Sequence, residues 1–192
     1  IISHIEDMTL RTDPGSAFSY HAHTFGWIVG EFASRVSGLS FDEVFRREVT
    51  LPLGLKSTAY TLEPVEFGRV VPLEISNEWD DKEIANNMDL ILRAQVSMPA
   101  GSMITTASDV AKFYAAISGK GVINGVRWLP EEVITEVTSV KAEGLDETSG
   151  AYSRVGLGVR LPSDPPNQYA SSNNSDTVGH GGIGTCTSWA SL

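Results

Sequence analysis

The 192-residue sequence has little cysteine and little positive charge. Its single cysteine, Cys186, excludes an intrachain disulfide framework and a cysteine zinc cluster. Lysine and arginine number 14 against 24 acidic residues, which gives a formal net charge of -10. Because no basic residues cluster locally, this charge opposes binding to a phosphate backbone or an anionic membrane surface. We therefore expect no nucleic-acid partner.

The sequence also has no long apolar run. None of its hydrophobic stretches approaches the roughly 20 residues needed to span a bilayer, so we expect no membrane span in this segment. The chain begins IISHIEDMTL, without an initiator methionine, and ends CTSWASL inside an alternating run typical of a strand. We expect a piece of a larger domain. The lone cysteine favours the cytoplasm, but localisation and oligomeric state stay open.

A helical period in the first quarter of the chain predicts an amphipathic helix. Thr24 is expected to cap this helix and Gly38 to close it. We interpret its apolar stripe as facing the core. The stripe consists of Phe25, Ile28, Val29, Phe32, Ala33 and Val36.

Caps and turns predict the remaining elements. A helix is expected from Ser40 to about Val49, ended by Pro52 with Gly54, and another after a cap at Thr106 or Ser108, ended by Gly119. Further helices are expected near Ile84 to Arg93 and from Pro130 onwards. Asn124-Gly125 predicts a turn, SDPPNQYASSNNSD a loop, and Val155 to Leu161 and Thr185 to Leu192 two strands. Helices therefore precede strands. This order predicts an α/β (α+β) class, with a mainly helical lobe over about 1–150 beside sheet strands over 151–192.

Two stretches carry candidate functional side chains. FSYHAHTFGWIVGE places Tyr20, His21 and His23 at the mouth of the predicted helix, and TVGHGGIGTCTSW places His180 before two glycines. The three histidines could form a zinc site, but no carboxylate accompanies them and we expect no metal. They could also be packing residues. The third interpretation makes Tyr20 and His180 two parts of a catalytic site.

Five landmarks in order resemble the serine β-lactamase and penicillin-binding-protein superfamily, in particular its family eight carboxylesterase branch. They are DPGSAFSYHAHTFGWIVGEFASRVSG, LPLGLKST, PAGSMITTASDVAKFYAAI, NGVRWLPEEVI and GHGGIG. The resemblance implies a β-lactamase/transpeptidase-like fold, a helical lobe beside an antiparallel sheet, present here only in part. The nucleophile segment and the last strands and helix of that fold would lie outside the chain.

The resemblance also implies roles for individual residues. Tyr20 corresponds to the family's proton-shuttling tyrosine, and His180 to the first position of its last motif. A phenol is a poor base at neutral pH unless a nearby cation favours the phenolate, and the family supplies that cation from the lysine of Ser-x-x-Lys. The backbone N-H of Ile183 would form half of an oxyanion hole. Gly181, Gly182 and His21 are the further candidates for oxyanion or substrate binding.

Two departures from the family pattern shape the expected function. The Tyr-x-Asn motif of the lactamases is Tyr20-His21-Ala22 here, and no Ser-x-x-Lys or Gly-x-Ser-x-Gly occurs in the chain. We expect the complete protein to hydrolyse small esters through a serine acyl-enzyme, without a cofactor, acting on a small-molecule ester or amide. This chain alone should be inactive. The alternatives are an inactive relative or fragment with a binding role, and a β-lactamase or D-Ala-D-Ala peptidase.

Overall fold

The computed structural model describes residues 1–72, 95–163, 176–182 and 187–192. Within it the chain forms two compact units that alternate along the sequence. Unit 1 contains Ile1–Asp7 and Ala22–Asp109, and unit 2 contains Met8–His21 and Val110–Leu192. The helix predicted near 84–93 and most of the loop predicted at 163–176 lie outside the described residues. The predicted division near residue 150 stays a prediction.

Unit 1 is helical in the part that the structure describes. Its helices are α1 (Ile2–Glu6), α2 (Thr24–Ser37) and α3 (Phe41–Phe45), a π-helical segment (Arg46–Thr50), α4 (Leu51–Leu53) and a 3-10 helix (Pro64–Arg69); α5 (Ala107–Ser118) begins in this unit. No described helix has the length and apolar character needed to cross a membrane.

The first predicted helix is confirmed as α2, with two corrections. Gly38 ends it at φ 70°, but His23 rather than Thr24 is its N-cap. The predicted core-facing stripe is exposed: the accessible fraction is 52% for Phe25 and 68% for Phe32. The buried positions of α2 are instead Gly26 and Gly30. They lie against the 95–102 segment so closely that a Cβ at Gly26 would come within 2.6 Å of the Ala100 Cβ.

The second predicted helix begins as expected and runs further. Ser40 and Glu43 form the predicted capping box at the start of α3. Pro52 does not end the helical path, because it lies in the first turn of α4, where a missing N-H costs no hydrogen bond. Gly54 ends α4 at φ 62°.

Unit 2 contains a five-stranded antiparallel sheet with the order β3-β4-β5-β6-β7. The predicted fold class is thereby confirmed. The elements are the hairpin β1 (Val122–Ile123) and β2 (Val126–Arg127), helix α6 (Glu131–Thr138), and the sheet strands β3 (Ala142–Leu145), β4 (Tyr152–Val155), β5 (Arg160–Leu161), β6 (Thr177–Gly181) and β7 (Thr187–Ser191). Helices α5 and α6 contribute Ile117 and Ile134 to a core that contains the sheet residues Val159, Leu161, Val178 and Ala190.

Local turn and cap signals after residue 105 hold with small shifts. Asn124 and Gly125 form the β1–β2 turn at φ 50° and 77°. At the N-terminus of α5, the Asp109 N-H donates to Thr106 Oγ1 at 3.2 Å, so Thr106 rather than Ser108 is the capping side chain. Pro130 is the N-cap of α6 and not its first residue.

The strand predicted over Val155 to Leu161 is wrong. The chain instead leaves β4 after Val155, turns, and returns as β5, which pairs Arg160 with Val155. Gly158 adopts a φ of 76° in this turn, a conformation that glycine reaches without steric strain. The predicted strand from Thr185 is present as β7, beginning at Thr187 in the described residues.

Candidate functional site

The backbone on both sides of the Tyr20 side chain is held by the loop that joins β3 to β4. The Tyr20 N-H donates to Asp146 Oδ1 at 2.8 Å, and Thr148 Oγ1 donates to the Tyr20 carbonyl oxygen at 3.0 Å. Two residues before Tyr20, the Phe18 carbonyl oxygen accepts a hydrogen bond from the Glu147 N-H at 3.0 Å. The segment before Tyr20 is therefore fastened to the sheet unit.

Asp146 is the centre of this anchoring loop. Its side chain is fully buried, and it also accepts hydrogen bonds from the Thr148 N-H at 3.0 Å and Ser149 Oγ at 2.7 Å. Desolvation raises the pKa of Asp146, but the hydrogen bonds from Tyr20, Ser149 and Thr148 and the charge of Arg160 outweigh it. The pKa of Asp146 consequently lies below its usual value, and the carboxylate stays charged at neutral pH.

His180 lies at the end of β6, beside Tyr20. The ring centroids of the two residues are 6.1 Å apart, with an interplanar angle of 34°. His180 Nδ1 is 2.9 Å from the Gly181 carbonyl oxygen. Because a carbonyl can only accept, this bond favours the tautomer with the proton on Nδ1 and a lone pair on Nε2.

The electrostatic surroundings keep the His180 ring neutral. Burial of the ring lowers the pKa of His180, the charge of Arg160 lowers it further, and the bond to Gly181 raises it only in part. At neutral pH the ring is thus an uncharged imidazole whose Nε2 can accept a proton. A phenol and a neutral imidazole side by side can move a proton between them and a bound reactant.

Arg160 on β5 completes this group of side chains. Its Cζ lies 4.8 Å from the centroid of the Tyr20 ring, a cation–π distance. Its Nη1 donates to Ser153 Oγ at 3.2 Å.

The remaining predicted site residues have different positions. The exposed His21 has its Nδ1 2.7 Å from the Ser19 carbonyl oxygen. Gly181 pairs with Thr187 across β6 and β7, and Gly182 is exposed at the end of β6. Ile183 lies outside the described residues, so its expected oxyanion role stays a prediction.

The zinc alternative has no counterpart in the described part of the chain. His23 is the N-cap of α2 in unit 1, whereas His21 and His180 belong to unit 2. Among residues 1–72, 95–163, 176–182 and 187–192, no group of three or more His, Cys, Asp or Glu side chains could hold a metal ion.

The chain matches a known protein family over nearly its whole length. The family model described as Beta-lactamase matches residues 1–191. The chain belongs to the beta-lactamase family. The resemblance found in the motifs is therefore confirmed at the level of the family.

The chain spans about half or less of the length of the proteins to which it is similar. The Esterase/beta-lactamase LipL of Mycobacterium tuberculosis is 25% identical over 161 residues, which cover 67% of this chain and 36% of LipL. A family VIII carboxylesterase structure is 27% identical, with a TM-score of 0.78, over 93% of this chain and 50% of that one. A penicillin-binding protein homologue from Caulobacter crescentus has a TM-score of 0.81 at 24% identity, over 98% of this chain and 53% of that one, and shows the shared fold.

Sequence reasoning missed two residues of this candidate site, Asp146 and Arg160. The stretch Asp146 to Gly150, DETSG, has the composition of a turn whose aspartate bonds its own backbone. That signal indicates a loop, but not that the same carboxylate also binds Tyr20. Arg160 lies in GLGVRL, where no local pattern distinguishes it from an ordinary strand residue.

Proposed function

We propose that the complete protein containing this chain is a serine hydrolase that cleaves small esters through an acyl-enzyme. Membership of the beta-lactamase family supports this class, as does the likeness to proteins described as an esterase/beta-lactamase and a family VIII carboxylesterase. No cofactor is part of the proposal.

The observation that carries the proposal is the pairing of Tyr20 and His180. Their ring centroids lie 6.1 Å apart, and the Tyr20 backbone is fastened on both sides by Asp146 and Thr148. A proton-transfer group must be held in a productive geometry, because small misplacements cost large factors in rate. This arrangement is suited to proton transfer, whereas a tyrosine that only filled the core would be buried.

The proposed chemistry begins with a serine outside residues 1–192. Its Oγ bonds to the ester carbonyl carbon while its proton passes to the Tyr20 and His180 pair. When the bond to the leaving oxygen breaks, that oxygen takes up the proton and departs as an alcohol. Water then repeats the attack on the acyl-enzyme and releases the acid.

The backbone around GHGGIG is proposed to hold the negative charge of the tetrahedral intermediate. The N-H of Ile183 would provide one donor of the oxyanion hole, and the two glycines before it leave the approach free of side chains. His21, exposed and one residue from Tyr20, is proposed to contact the substrate.

Esters are preferred over β-lactams in this proposal because of Ala22. The lactamase motif has an asparagine at the corresponding position, and an alanine cannot hydrogen-bond the amide group of a β-lactam. A site that lacks a polar partner discriminates against the substrate group that needs it.

The decisive experiment compares the complete protein with the 192-residue chain. We expect the complete protein to release a burst of nitrophenol from p-nitrophenyl butyrate, and to be labelled stoichiometrically by a serine-directed phosphonate. The chain alone should show neither, because it contains no Ser-x-x-Lys. Labelling of the chain alone would contradict the assignment of the nucleophile.

One alternative is a catalytically inactive relative with a binding role, which loss of Ser-x-x-Lys from the complete protein would favour. A complete protein that gives no burst with the ester, and binds it or a β-lactam without turnover, would support that alternative. Faster turnover of a chromogenic cephalosporin than of the ester would instead support a β-lactamase.

A further inference from the structure

Arg160 lies against the face of the Tyr20 ring. The distance from its Cζ to the ring centroid, 4.8 Å, is inside the range of about 6 Å over which a cation is attracted to an aromatic face. The side chain is neither fully exposed nor part of the apolar core of the sheet.

The sheet holds Arg160 in this position. Its backbone lies between two neighbours, with Val155 of β4 on one side and Gly179 of β6 on the other. Gly179 directly precedes His180, so β5 and β6 bring the arginine and the histidine to the same part of the sheet. The hydrogen bond from Nη1 to the buried Ser153 then fixes the guanidinium.

The charge of Arg160 is not neutralised by an ion pair within the described part of the chain. Its neighbour Arg154, in contrast, binds Glu143 at 3.0 Å. Arg160 therefore acts on the groups around it at longer range. It lowers the pKa of His180, after the larger effect of burial, and it adds to the hydrogen bonds that lower the pKa of Asp146.

We propose that Arg160 is a positioning residue of the hydrolase, whose guanidinium holds the Tyr20 ring beside His180 and supplies a fixed cation to that pair. This inference rests on the proposed function. A phenol acts as a base at neutral pH only if a nearby cation favours the phenolate. The family resemblance assigns that cation to the lysine of Ser-x-x-Lys, whereas Arg160 stacks on the Tyr20 ring and places its charge near His180.

The test uses three variants of the complete protein. Arg160→Gln removes the charge and the stacking plane, and Arg160→Lys keeps the charge. Arg154→Gln is the matched control. Arg154 lies on the adjacent strand β4, and in the described structure this arginine contacts neither Tyr20 nor His180. Urea unfolding of each variant establishes that it is folded before the other measurements are made.

The first readout is independent of activity. The His180 resonance is identified by its loss in His180→Asn, and its NMR titration is followed in each variant. Removing the Arg160 charge should raise the pKa of His180 and weaken the cross-relaxation between the Tyr20 and His180 rings. Arg160→Lys should leave the titration near that of the native protein, and so should Arg154→Gln.

The second readout is the hydrolysis of p-nitrophenyl butyrate. We expect Arg160→Gln to lower kcat by about 10- to 100-fold with little change in KM, because a shift of about 1 Å in a catalytic group can cost about 10²-fold. Arg160→Lys should recover most of this loss. In a Tyr20→Phe background, Arg160→Gln should have a smaller effect than in the native protein, since the part of its role that acts through Tyr20 is already lost.

The outcomes separate the inference from the function on which it rests. An unchanged His180 titration and unchanged ring contact in folded Arg160→Gln would overturn the positioning role, as would an equal loss of kcat in the Tyr20→Phe background. If both Arg160 variants fail to fold, the role is purely structural and the proposal fails. If the native protein does not hydrolyse the ester, the proposed function fails, and the NMR titration still decides whether Arg160 positions the pair.

Discussion

The backbone N-H of Tyr20 donates a 2.8 Å hydrogen bond to Oδ1 of Asp146, 126 residues further along the chain. This bond fixes the segment before α2 to the β3–β4 loop. Because the carboxylate is buried and serves two further donors, the loop and the tyrosine segment should lose their order together.

The first prediction is that Asp146→Ala destabilises the chain. The substitution leaves the N-H groups of Tyr20 and Thr148 without their acceptor, and we expect a loss of about 1–3 kcal/mol in the free energy of unfolding. Urea unfolding measures this loss. The exposed Glu132→Ala is the control for removing one negative charge and should change stability by less than about 0.5 kcal/mol. Equal stability of the two variants would show that the Asp146 hydrogen bonds contribute nothing.

The second prediction concerns acid. The folded-state pKa of Asp146 is below the unfolded value of 3.8, so its contribution to stability is complete above that pH and is lost as the pH falls through the folded pKa. The unfolding free energy of the native chain should therefore fall more steeply below pH 4 than that of Asp146→Asn. Glu43 and Glu131 also have lowered pKa values, but they titrate alike in both proteins and cancel in the comparison. Parallel pH profiles would contradict the prediction.

The third prediction concerns the proton-transfer role of Tyr20. In the complete protein, Tyr20→Phe should lower kcat for p-nitrophenyl butyrate by about 10²- to 10⁴-fold, the range for removing a positioned proton-transfer group, with little change in KM. Tyr152→Phe is the matched control, because Tyr152 is a partly exposed tyrosine on β4. An undiminished rate in Tyr20→Phe would refute the mechanism.

The fourth prediction concerns substrate choice. Ala22→Asn restores the amide of the lactamase motif, and it should raise kcat/KM for a cephalosporin by about 5- to 150-fold, the equivalent of 1–3 kcal/mol of transition-state binding. The ester rate should change little, since an ester lacks the amide group concerned. Ala22→Leu, which adds bulk without a polar group, controls for size. A similar gain with leucine would show that the effect is not hydrogen bonding.

The fifth prediction distinguishes the core from the exposed stripe of α2. In the 192-residue chain, Ile134→Ala should cost about 2–5 kcal/mol, because Ile134 is only 4% exposed and its removal leaves a cavity. Phe32→Ala should cost less than about 0.5 kcal/mol, because Phe32 is 68% exposed. Urea unfolding of the two variants side by side measures the contrast. A large cost at Phe32 would mean that the stripe is buried in this chain.

Features that depend on neighbouring residues were predictable from the sequence. The capping box at Ser40 and Glu43, the closure of α2 at Gly38 and the turn at Asn124-Gly125 each involve contacts within a few residues. Such signals depend on local hydrogen bonds and on the conformational freedom of glycine. The family resemblance, which depends on the order of several motifs, correctly gave the fold class.

The pattern of apolar residues in α2 predicts the helix but not which of its faces is buried. Helical periodicity shows that Phe25, Phe32 and Val36 share a face, and it correctly predicts a helix. It cannot tell which face meets a neighbour. In the structure the 95–102 segment packs against α2 at Gly26 and Gly30, because the absence of a Cβ lets it approach the helix backbone.

The sequence by itself determined α2 and its end at Gly38, the capping box of α3, the turn at Asn124-Gly125, the family, and the choice of Tyr20 and His180 as candidate site residues. Only the tertiary structure decided that Met8–His21 belongs with the sheet, that the Val155 to Leu161 run folds back on itself, and that Asp146 and Arg160 surround the tyrosine. The physical reason is the separation along the sequence between the residues that interact. A cap or a turn is formed by residues a few positions apart, whereas a buried carboxylate finds its donor 126 residues away through the register of a sheet that no local pattern encodes.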